Sequence, residues 1–344
     1  MSSTDSPSPR SGLLAAGNFI VDHVKMIDAW PDEEMLASID SGQTSNGGGA
    51  FNVLMDLARM RAPFPLEAAG LLGEDEAGRW IIAHCEEHGI HTSQLQLRPG
   101  LRTSYTDAFT VRSTGRRTFF HHRGANALLA QADLDLKATG ARLFYLGYLM
   151  LLDTLDRTDA GGRSAASHLL EAACHGGYVT VVDMVSVAHP GLIGGSRSAL
   201  PWIDHLVLNE IEAGQLCGRS LRRSDQSLDP GAMDAAAMDL LAAGVRQSVT
   251  IHAVEGAITA GQNGIVRQTS VALPAGYIQG ATGAGDAFAA GWILALHEGW
   301  LPAEGLRLGV CAAAACLADP TPSGGLRPME ECLELGQTYG FRQP

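Results

Sequence analysis

A glycine-rich turn at residues 280–285 runs into an apolar stretch with helical spacing, and its composition points to anion chemistry. The turn reads Gly-Ala-Thr-Gly-Ala-Gly, and Asp286 follows it directly. Small residues expose the backbone N–H groups of such a turn, and the positive end of the helix dipole lies at the same place. The turn could hold a phosphate without a lysine, which suits a chain whose only lysines are Lys25 and Lys137.

Asp286 is the first acidic side chain of this predicted helix and the candidate for proton transfer. A carboxylate beside a bound phosphate can accept the proton of a hydroxyl group as the hydroxyl oxygen attacks phosphorus. The helix dipole favours the ionised form of such a carboxylate. On this segment alone, an ordinary acidic residue of the first helical turn remains the alternative, because Gly-x-Gly-Asp by itself is a weak signal.

Length, charge and cysteine pattern exclude several classes of protein. The 344 residues are 46% hydrophobic, enough for one large α/β domain, and the net charge of −13 argues against a nucleic-acid partner. The absence of a Gly-Lys pair excludes a Walker A loop. No apolar run approaches the roughly 20 residues that span a bilayer, so no membrane partner is expected. The six cysteines form no Cys-x-x-Cys pair, and we expect reduced thiols in the cytoplasm.

Short apolar runs alternate with longer stretches of helical spacing along most of the chain. This alternation predicts a mainly parallel sheet that is covered by helices on both faces. The predicted strands are 13–16, 66–71, 143–146, 178–183, 205–208 and 248–252. The predicted helices are 51–60, 80–88, 162–174, 232–243, 284–298, 302–317 and 329–335.

Two half-polar, extended segments do not fit this alternation. They are residues 21–44 and residues 103–122, and the second contains a Ser-Thr-Gly-Arg sequence typical of a hairpin turn. We interpret the two segments as a small sheet that is separate from the main one.

Residues 282–291, Thr-Gly-Ala-Gly-Asp-Ala-Phe-Ala-Ala-Gly, closely resemble the C-terminal signature of the phosphofructokinase-B, or ribokinase-like, carbohydrate kinases. Other segments resemble further motifs of that family and follow in the family's order. They are residues 17–22, 46–52, 70–78, 122–126 and 208–212. The resemblance covers about residues 13–337, nearly the whole chain.

The resemblance implies a fold and a domain organisation. The fold is a ribokinase-like three-layer α/β/α sandwich with a mainly parallel central sheet and a small β-sheet lid. The kinase domain is expected at 13–337, with lid segments at about 21–44 and 103–122. Residues 1–12 are expected to be a disordered leader and residues 338–344 a C-terminal tail. Because lids pair between subunits in many family members, the resemblance also implies a homodimer.

For phosphoryl transfer, the resemblance implies roles at the glycine-rich turn. Asp286 matches the catalytic base. Three residues match an anion hole whose N–H groups stabilise charge on the transferring group, namely Gly283, Ala284 and Gly285. Thr282, with Gly283 and Gly285, matches the binding segment for the phosphates of ATP.

For the acceptor, the resemblance implies a polyol site. Asp22 and Asn52 match the residues that hold sugar hydroxyls, and Gly48 and Gly49 match backbone that lets the sugar lie close. A carboxylate and an amide that converge on neighbouring hydroxyls can satisfy both their donor and their acceptor atoms.

Asn209 and Glu212 match the family pair that lies near the triphosphate and Mg²⁺, with Glu212 as the residue on the metal side. One helical turn separates them, so both can face one site. The alternative is purely structural, with Asn209 as a helix N-cap and Glu212 closing a capping box.

The function implied is ATP-dependent phosphorylation of a hydroxyl group on a small sugar or sugar acid, with ATP and Mg²⁺ as cofactors. A nucleoside kinase of the same family is an alternative, because aromatic lid contacts favour a substrate that carries a base. The candidate lid or pocket residues are Trp30, Phe51, Tyr105 and Phe120. A non-catalytic sugar- or nucleotide-binding relative is the alternative from another class. Its best support is the loss of the usual Asp-Thr, replaced here by Gly280-Ala281. Intact Asp286, Asn209 and Glu212 argue against it, because a binding protein has no need of a base.

Two segments depart from the family pattern. Gly280-Ala281 replaces the usual Asp-Thr, whose aspartate helps to bind a monovalent cation in K⁺-activated relatives, so we expect weak K⁺ activation. His252 or Ala253 stands where the family usually has glycine, in a segment that borders the nucleotide. His252 is either a neighbour of the nucleotide or a strand-end histidine.

The sequence His84-Cys-Glu-Glu-His88 has the spacing of a metal motif of some zinc peptidases. On a helix the two histidines lie one turn apart and could share a metal ion. The segment also fits an ordinary amphipathic helix, and we expect these side chains to form its solvated face.

Overall fold

The computed structural model describes residues 10–114, 116–186 and 191–343. Residues 1–9 of the predicted leader, Gly115 of the predicted hairpin turn and Pro344 of the predicted tail lie outside the described residues. The strands are β1 (Leu13–Gly17), β2 (Ile20–Ile27), β3 (Ile39–Gly47), β4 (Leu66–Gly73), β5 (His91–Arg98), β6 (Tyr105–Val111), β7 (Arg117–His122), β8 (Leu143–Leu149), β9 (Val179–Met184), β10 (His205–Asn209), β11 (Ser248–His252), β12 (Gly256–Gly261) and β13 (Gly264–Thr269).

Helices connect most of the parallel strands. They are α1 (Gly49–Arg59), α2 (Glu76–Glu87), α3 (Asp153–Asp156), α4 (Ala165–His175), α5 (Gly191–Arg197), α6 (Glu210–Cys217), α7 (Pro230–Ala242), α8 (Ala284–Glu298), α9 (Pro302–Cys316) and α10 (Met329–Tyr339). The predicted helix at 232–243 begins two residues earlier, because the Asp229 side chain accepts hydrogen bonds from the N–H groups of Gly231 and Ala232.

A large sheet of order β13-β12-β11-β10-β9-β8-β1-β4-β5 forms the centre of the domain. Its pairs are parallel from β11 to β5, whereas β12 and β13 add an antiparallel edge. Strand β1 lies inside the sheet, and all of its residues are buried. This is why Leu13–Gly17 is almost wholly apolar: a central strand of a two-sided sheet meets helices on both faces.

The hydrophobic core has two parts, one on each face of the large sheet. Leu13 and Ala15 of β1 point into the part formed with α1, α2, α8, α9 and α10. Leu14 and Ala16 point into the part formed with α4, α6 and α7. Alternate residues of a strand face opposite sides, so one short strand contributes to both. The predicted three-layer α/β/α architecture is confirmed.

A second sheet of four strands has the order β3-β2-β6-β7. Strand β2 pairs in parallel with β6 and antiparallel with β3, and β6 and β7 form the predicted hairpin. The expectation of a small, separate sheet built from the two extended segments is therefore confirmed. We call it the small sheet.

Both ends of the described chain contact the domain. The guanidinium of Arg10 lies 3.8 Å from the centre of the Tyr178 ring. Helix α10 continues to Tyr339, and Phe341 forms a β-bridge with Val271. The domain boundaries at 13 and 337 stay predictions. Among the described helices, none is long and apolar enough to cross a membrane.

Candidate active site

Helix α8 begins in the glycine-rich turn with its first N–H groups available. Gly283 is the N-cap residue and has φ of 79°, in the left-handed region that favours glycine. A Cβ atom at Gly283 would also lie 2.5 Å from the carbonyl oxygen of Pro322. Within the described residues, no side chain caps this helix start. The N–H groups and the positive end of the helix dipole are therefore open to an anion.

Asp286 lies in the first turn of α8 and is buried, with 5% of its surface exposed. The Tyr148 hydroxyl donates a 2.6 Å hydrogen bond to its Oδ1 atom, and the Asn52 amide donates a 2.8 Å hydrogen bond to its Oδ2 atom. Burial raises the pKa of Asp286 to about 6, while the two hydrogen bonds act to lower it. The carboxylate is therefore mainly ionised at neutral pH, with both oxygens held in place.

A second layer of hydrogen bonds fixes the amide of Asn52. The Asn46 amide donates to Asn52 Oδ1 at 2.7 Å and to Ser323 Oγ at 2.9 Å. With Asn52 Oδ1 occupied as an acceptor, its NH₂ group points to Asp286. Asn46 and Ser323 thus set the orientation of a side chain that contacts the candidate base.

Asp22 lies on β2 and is buried against the same site. Burial raises its pKa to about 7, a hydrogen bond with Thr106 lowers it, and the negative charge of Asp286 raises it further. The structure therefore brings Asp22, Asn52 and Asp286 together, although they are far apart in sequence.

The glycines at 48 and 49 allow close packing around this site. Gly48 has φ of 84°, and a Cβ atom there would lie 2.6 Å from the carbonyl oxygen of Asn18. A Cβ atom at Gly49 would lie 2.8 Å from the ring of Tyr148. These contacts give a steric reason for both glycines, and their contact with a sugar stays a prediction.

Asn209 and Glu212 form a capping box at the start of α6. The N–H groups of Ile211 and Glu212 donate to Asn209 Oδ1, each at 2.9 Å. Glu212 Oε2 accepts a 2.8 Å hydrogen bond from the Asn209 N–H, and Glu212 Oε1 accepts a 2.7 Å bond from the Asn209 amide. Burial raises the pKa of Glu212 to about 7. The capping box that was the structural alternative is therefore present. Glu212 remains a buried carboxylate in the first turn of α6, directly after the end of β10.

Asp183 is a further buried carboxylate that the sequence analysis did not identify. It lies near the carboxyl end of β9 and accepts a 3.4 Å hydrogen bond from Tyr145. Its pKa is raised well above the usual range, first by burial and then by the charges of Glu212 and Asp286. The available signal was an acidic residue at the carboxyl end of a predicted parallel strand, where α/β sheets bind ligands.

Asp183, Glu212 and Asp286 form one group of interacting carboxylates. The charges of Glu212 and Asp286 raise the pKa of Asp183, and the charge of Asp286 raises the pKa of Glu212, so negative charges at this place repel one another. Among the described residues, none of the three forms an ion pair with arginine or lysine. A divalent cation with oxygen ligands would relieve the repulsion, so the residues present fit Mg²⁺.

A cavity of about 320 Å³ borders the glycine-rich turn between α8, α9 and the β11–β12 connection. Its lining is mainly apolar and includes His252, Val254, Ile278, Gly285, Phe288 and Leu317. His252 Cε1 would lie 3.2 Å from a Cβ atom at Gly285, and its ring packs 5.0 Å from that of Phe288. Burial lowers the pKa of His252 to about 4, so the ring is neutral. His252 is thus both a strand-end residue and a neighbour of the anion-binding turn.

Arg117 reaches from β7 of the small sheet to the glycine-rich turn. Its guanidinium donates a hydrogen bond to Thr282 Oγ1, and it forms no ion pair with any described residue. Burial lowers the pKa of Arg117, but the pKa of an arginine lies so far above neutral pH that the side chain stays charged. A Cβ atom at Gly280 would lie 3.0 Å from Arg117 Nη2 and 2.6 Å from Pro320 Cα. The space that an aspartate would need at position 280 is therefore taken.

Of the four aromatic residues expected in the lid or pocket, three belong to the small sheet or to the connection between β2 and β3, and Phe51 does not. Phe51 is fully buried in the core, so its suggested place in the pocket is wrong; it lies on the side of α1 that packs against Phe19 and Trp80. Trp30 stacks on Phe120, with ring centres 6.1 Å apart. By strand alternation, Tyr105 and Phe120 lie on the face of the small sheet opposite Asp22.

Solved structures show which fold this is. The structure of Arabidopsis thaliana ribokinase with ribose and ATP has a TM-score of 0.74 at 22% identity and covers 95% of this chain and 98% of its own. Burkholderia thailandensis nucleoside kinase with inosine has a TM-score of 0.72 at 15% identity, with 96% and 98% covered. E. coli ribokinase II with ATP and Mg²⁺ has a TM-score of 0.75 at 18% identity, with 95% and 99% covered. The fold is ribokinase-like, as predicted.

Sequence comparison identifies the family. A profile of the pfkB family carbohydrate kinases matches residues 15–326. The Arabidopsis thaliana ribokinase is 24% identical over 311 residues, which cover 89% of this chain and 76% of that protein. The chain belongs to the pfkB carbohydrate kinase family, and the predicted class of enzyme, a kinase, is confirmed.

Proposed function

We propose that this kinase transfers the γ-phosphoryl group of ATP to a hydroxyl of a sugar or sugar acid, with Asp286 as general base. One observation carries the proposal. Asp286 lies in the first turn of α8, beside N–H groups that no described side chain caps, and is itself held by Tyr148 and Asn52. A positioned carboxylate next to an anion site is what in-line attack by a hydroxyl requires.

In this mechanism Asp286 accepts the proton of the attacking hydroxyl. Each of its carboxylate oxygens accepts one hydrogen bond from the protein, and each has a further lone pair for the substrate. As the oxygen attacks phosphorus, the N–H groups of Gly283, Ala284 and Gly285 stabilise charge on the transferring group. Thr282 lies in the same turn, directly before Gly283, and would lie beside the phosphates.

The binding of ATP is supported by the cavity next to the turn. Its apolar lining suits a planar base, and Gly285 and His252 line the cavity where it borders the glycine-rich turn. The relatives from Arabidopsis and E. coli were solved with ATP. Because His252 is neutral, it can donate or accept a hydrogen bond there without adding a positive charge beside the phosphates.

We further propose that Glu212 and Asp183 hold Mg²⁺, directly or through water. Mg²⁺ keeps several waters and needs only one or two carboxylates from the protein. When bound, the ion neutralises charge on the triphosphate. The two carboxylates contribute the negative charge, and the capping box keeps Glu212 in place.

The proposed sugar site is supported by the polar face of the small sheet. Asp22, Thr106 and His121 share one face by strand alternation, and His121 Nδ1 lies 3.1 Å from Thr106 Oγ1. Such a face can satisfy several hydroxyls. One observation favours a nucleoside as the second candidate, since Phe119 lies on the same face and is 53% exposed. The nucleoside kinase from Burkholderia was solved with inosine.

The experiment that tests this function measures ADP release with Mg·ATP against pentoses, hexoses, 2-keto-3-deoxy sugar acids and nucleosides. Turnover with one class, lost in an Asp286 variant, supports both the reaction and the base. If ATP or a sugar binds without any turnover, the non-catalytic alternative is favoured instead. The cytoplasmic location and the homodimer stay predictions.

The pH dependence of turnover should follow the ionisation of Asp286. Its pKa is raised by burial to about 6, so the base is protonated and inactive below that pH and ionised above it. We therefore expect kcat to rise with pH through about 6 and then level off. Tyr148→Phe removes a hydrogen bond that lowers this pKa, so the rising limb should move to higher pH. An unmoved limb in the pH–kcat profile of the variant would show that another group controls it.

Turnover should depend little on K⁺. Gly280 offers no carboxylate, and Arg117 Nη2 lies 3.0 Å from the position that a Cβ atom at residue 280 would occupy. The positive charge of Arg117 therefore repels a monovalent cation there. The measurement replaces tetramethylammonium chloride by KCl at constant ionic strength and saturating Mg·ATP. A steep rise in kcat with KCl would contradict the expectation.

A further inference from the structure

His84 and Glu87 of α2 lie together with His88, the C-cap residue of that helix, where only a solvated face was expected. One potential ligand atom from each side chain lies within 4.8 Å of those of the other two. Residues at spacings of three and four share one face of a helix, which explains the approach. We propose that these three side chains bind a divalent transition-metal ion of the zinc class, independently of the kinase site.

The hydrogen bonding of His88 prepares it as a ligand. Its Nδ1 atom lies 2.9 Å from the carbonyl oxygen of His84. A carbonyl oxygen can only accept, so Nδ1 carries the proton and Nε2 keeps its lone pair for a metal. A second ring nitrogen bound to a backbone carbonyl is the usual arrangement for metal-binding histidines.

The ring of His84 is held by packing on two sides. It stacks on Trp80, with ring centres 4.9 Å apart and planes at 11°, and stands edge-on to Phe51 at 6.1 Å. An ordinary surface histidine moves freely, so this packing reduces the entropy that a metal ion must overcome. Burial lowers the pKa of His84, and the neutral ring required of a ligand is therefore favoured.

The charge and geometry of the cluster suit a transition metal. His84 Nδ1 lies 3.8 Å from Glu87 Oε2, and the Glu87 side chain is 75% exposed, so it can move to close the site. The negative end of the dipole of α2 lies at the same place and favours a cation. The positive charge of Arg59 opposes the binding of a cation, because it lies close enough to lower the pKa of His84. The negative charge of Glu87 offsets that of Arg59.

Two imidazoles and one carboxylate form a ligand set typical of zinc, with a fourth position left for water. Cys85 does not compete, because burial raises the pKa of its thiol to about 12. The site also contacts the helix that carries Asn52, since Phe51 packs against His84. A bound ion should therefore stabilise the folded chain and raise its Tm.

The test is calorimetric titration of the metal-free full chain with ZnCl₂, with excess MgCl₂ present to occupy the carboxylates of the kinase site. We expect one Zn²⁺ per chain and a rise in Tm. His88→Gln and Glu87→Gln should each weaken binding by about tenfold or more. His91→Gln, an exposed histidine just beyond α2, is the matched control and should bind as the wild type does.

Co²⁺ gives a second readout, since four-coordinate Co²⁺ absorbs visible light and follows the same ligand preferences. The absorption should appear with the wild type and with His91→Gln and be lost in His88→Gln. The proposal is overturned if Zn²⁺ shows no saturable binding in excess Mg²⁺, or if His88→Gln binds it as tightly as the wild type. Neither readout depends on kinase activity.

Discussion

Asp286→Asn is expected to lower kcat by about 10²–10⁴-fold, the usual contribution of a general base. The variant keeps the volume of the side chain and removes its charge and its ability to take a proton. Its oxygen can still accept from the Asn52 amide, and its new NH₂ group can donate to the Tyr148 hydroxyl, which both donates and accepts. The KM for the acceptor should change far less, since Asp22 and Asn52, the residues proposed to hold its hydroxyls, are unchanged. The measurement is steady-state ADP release on the substrate class found in the panel.

The stability of this variant separates lost chemistry from lost folding. The pKa of Asp286 is raised in the folded chain, so ionisation of this carboxyl destabilises the folded state at pH above its ordinary value of 3.8. A neutral residue removes that penalty and the repulsion of Asp183 and Glu212. The Tm at pH 7 should thus be unchanged or higher. A kcat within tenfold of the wild type, in a folded variant, would exclude Asp286 as the base.

Local sequence signals predicted the elements that carry the site. The helix at 284–298 has the predicted bounds, because a glycine turn before it and Gly299 after it mark both ends. The strand at 248–252 was also predicted at its observed bounds. Strand β5 and the β12–β13 hairpin were not predicted. They lie at the two edges of the large sheet, where β5 and β13 are half exposed and lack an apolar run.

The residues that complete the site could not be predicted in the same way. Tyr148 reads as part of the buried strand β8, and its hydrogen bond to Asp286 spans 138 residues. Asn46 and Ser323, which orient Asn52, are 277 residues apart. Contacts of this kind depend on how the elements pack, and nothing in the local spacing of a single sequence records them.

Arg117 gives a structural reason for the departure from the family pattern at Gly280. Gly280 was noted as a missing aspartate, with the loss of a cation site as the expected consequence. In the structure the space beside Gly280 is filled by Pro320 and by the guanidinium of Arg117. The positive charge near the anion-binding turn is thus supplied by a side chain of the small sheet.

Arg117→Ala is expected to lower kcat by about 10²-fold, the effect of removing one donor that stabilises transition-state charge. The guanidinium contacts Thr282 and has no acidic partner among the described residues, so its charge is free to act on the phosphoryl group. The dissociation constant of ATP should change little, because the cavity and the turn remain. Arg117→Lys should recover part of the activity, since it keeps the charge without the planar fork.

Arg112→Ala is the matched control for this prediction. Arg112 lies in the same hairpin, but its side chain is 64% exposed and is paired with Asp40. Its loss should leave kcat unchanged. Added guanidinium ion should restore activity to Arg117→Ala and have no such effect on the wild type.

Arg117 belongs to the small sheet, whereas Thr282 belongs to the large domain. The positive charge of Arg117 therefore reaches the glycine-rich turn only when the small sheet and the large domain are in contact. If the small sheet moves as the lid that the family resemblance implies, its closure over the acceptor would complete the site, and phosphoryl transfer to water would be disfavoured before closure. If Arg117→Ala instead raises the KM for one class of acidic acceptor and leaves kcat unchanged, the guanidinium binds the substrate, and the proposed link between closure and phosphoryl transfer is wrong.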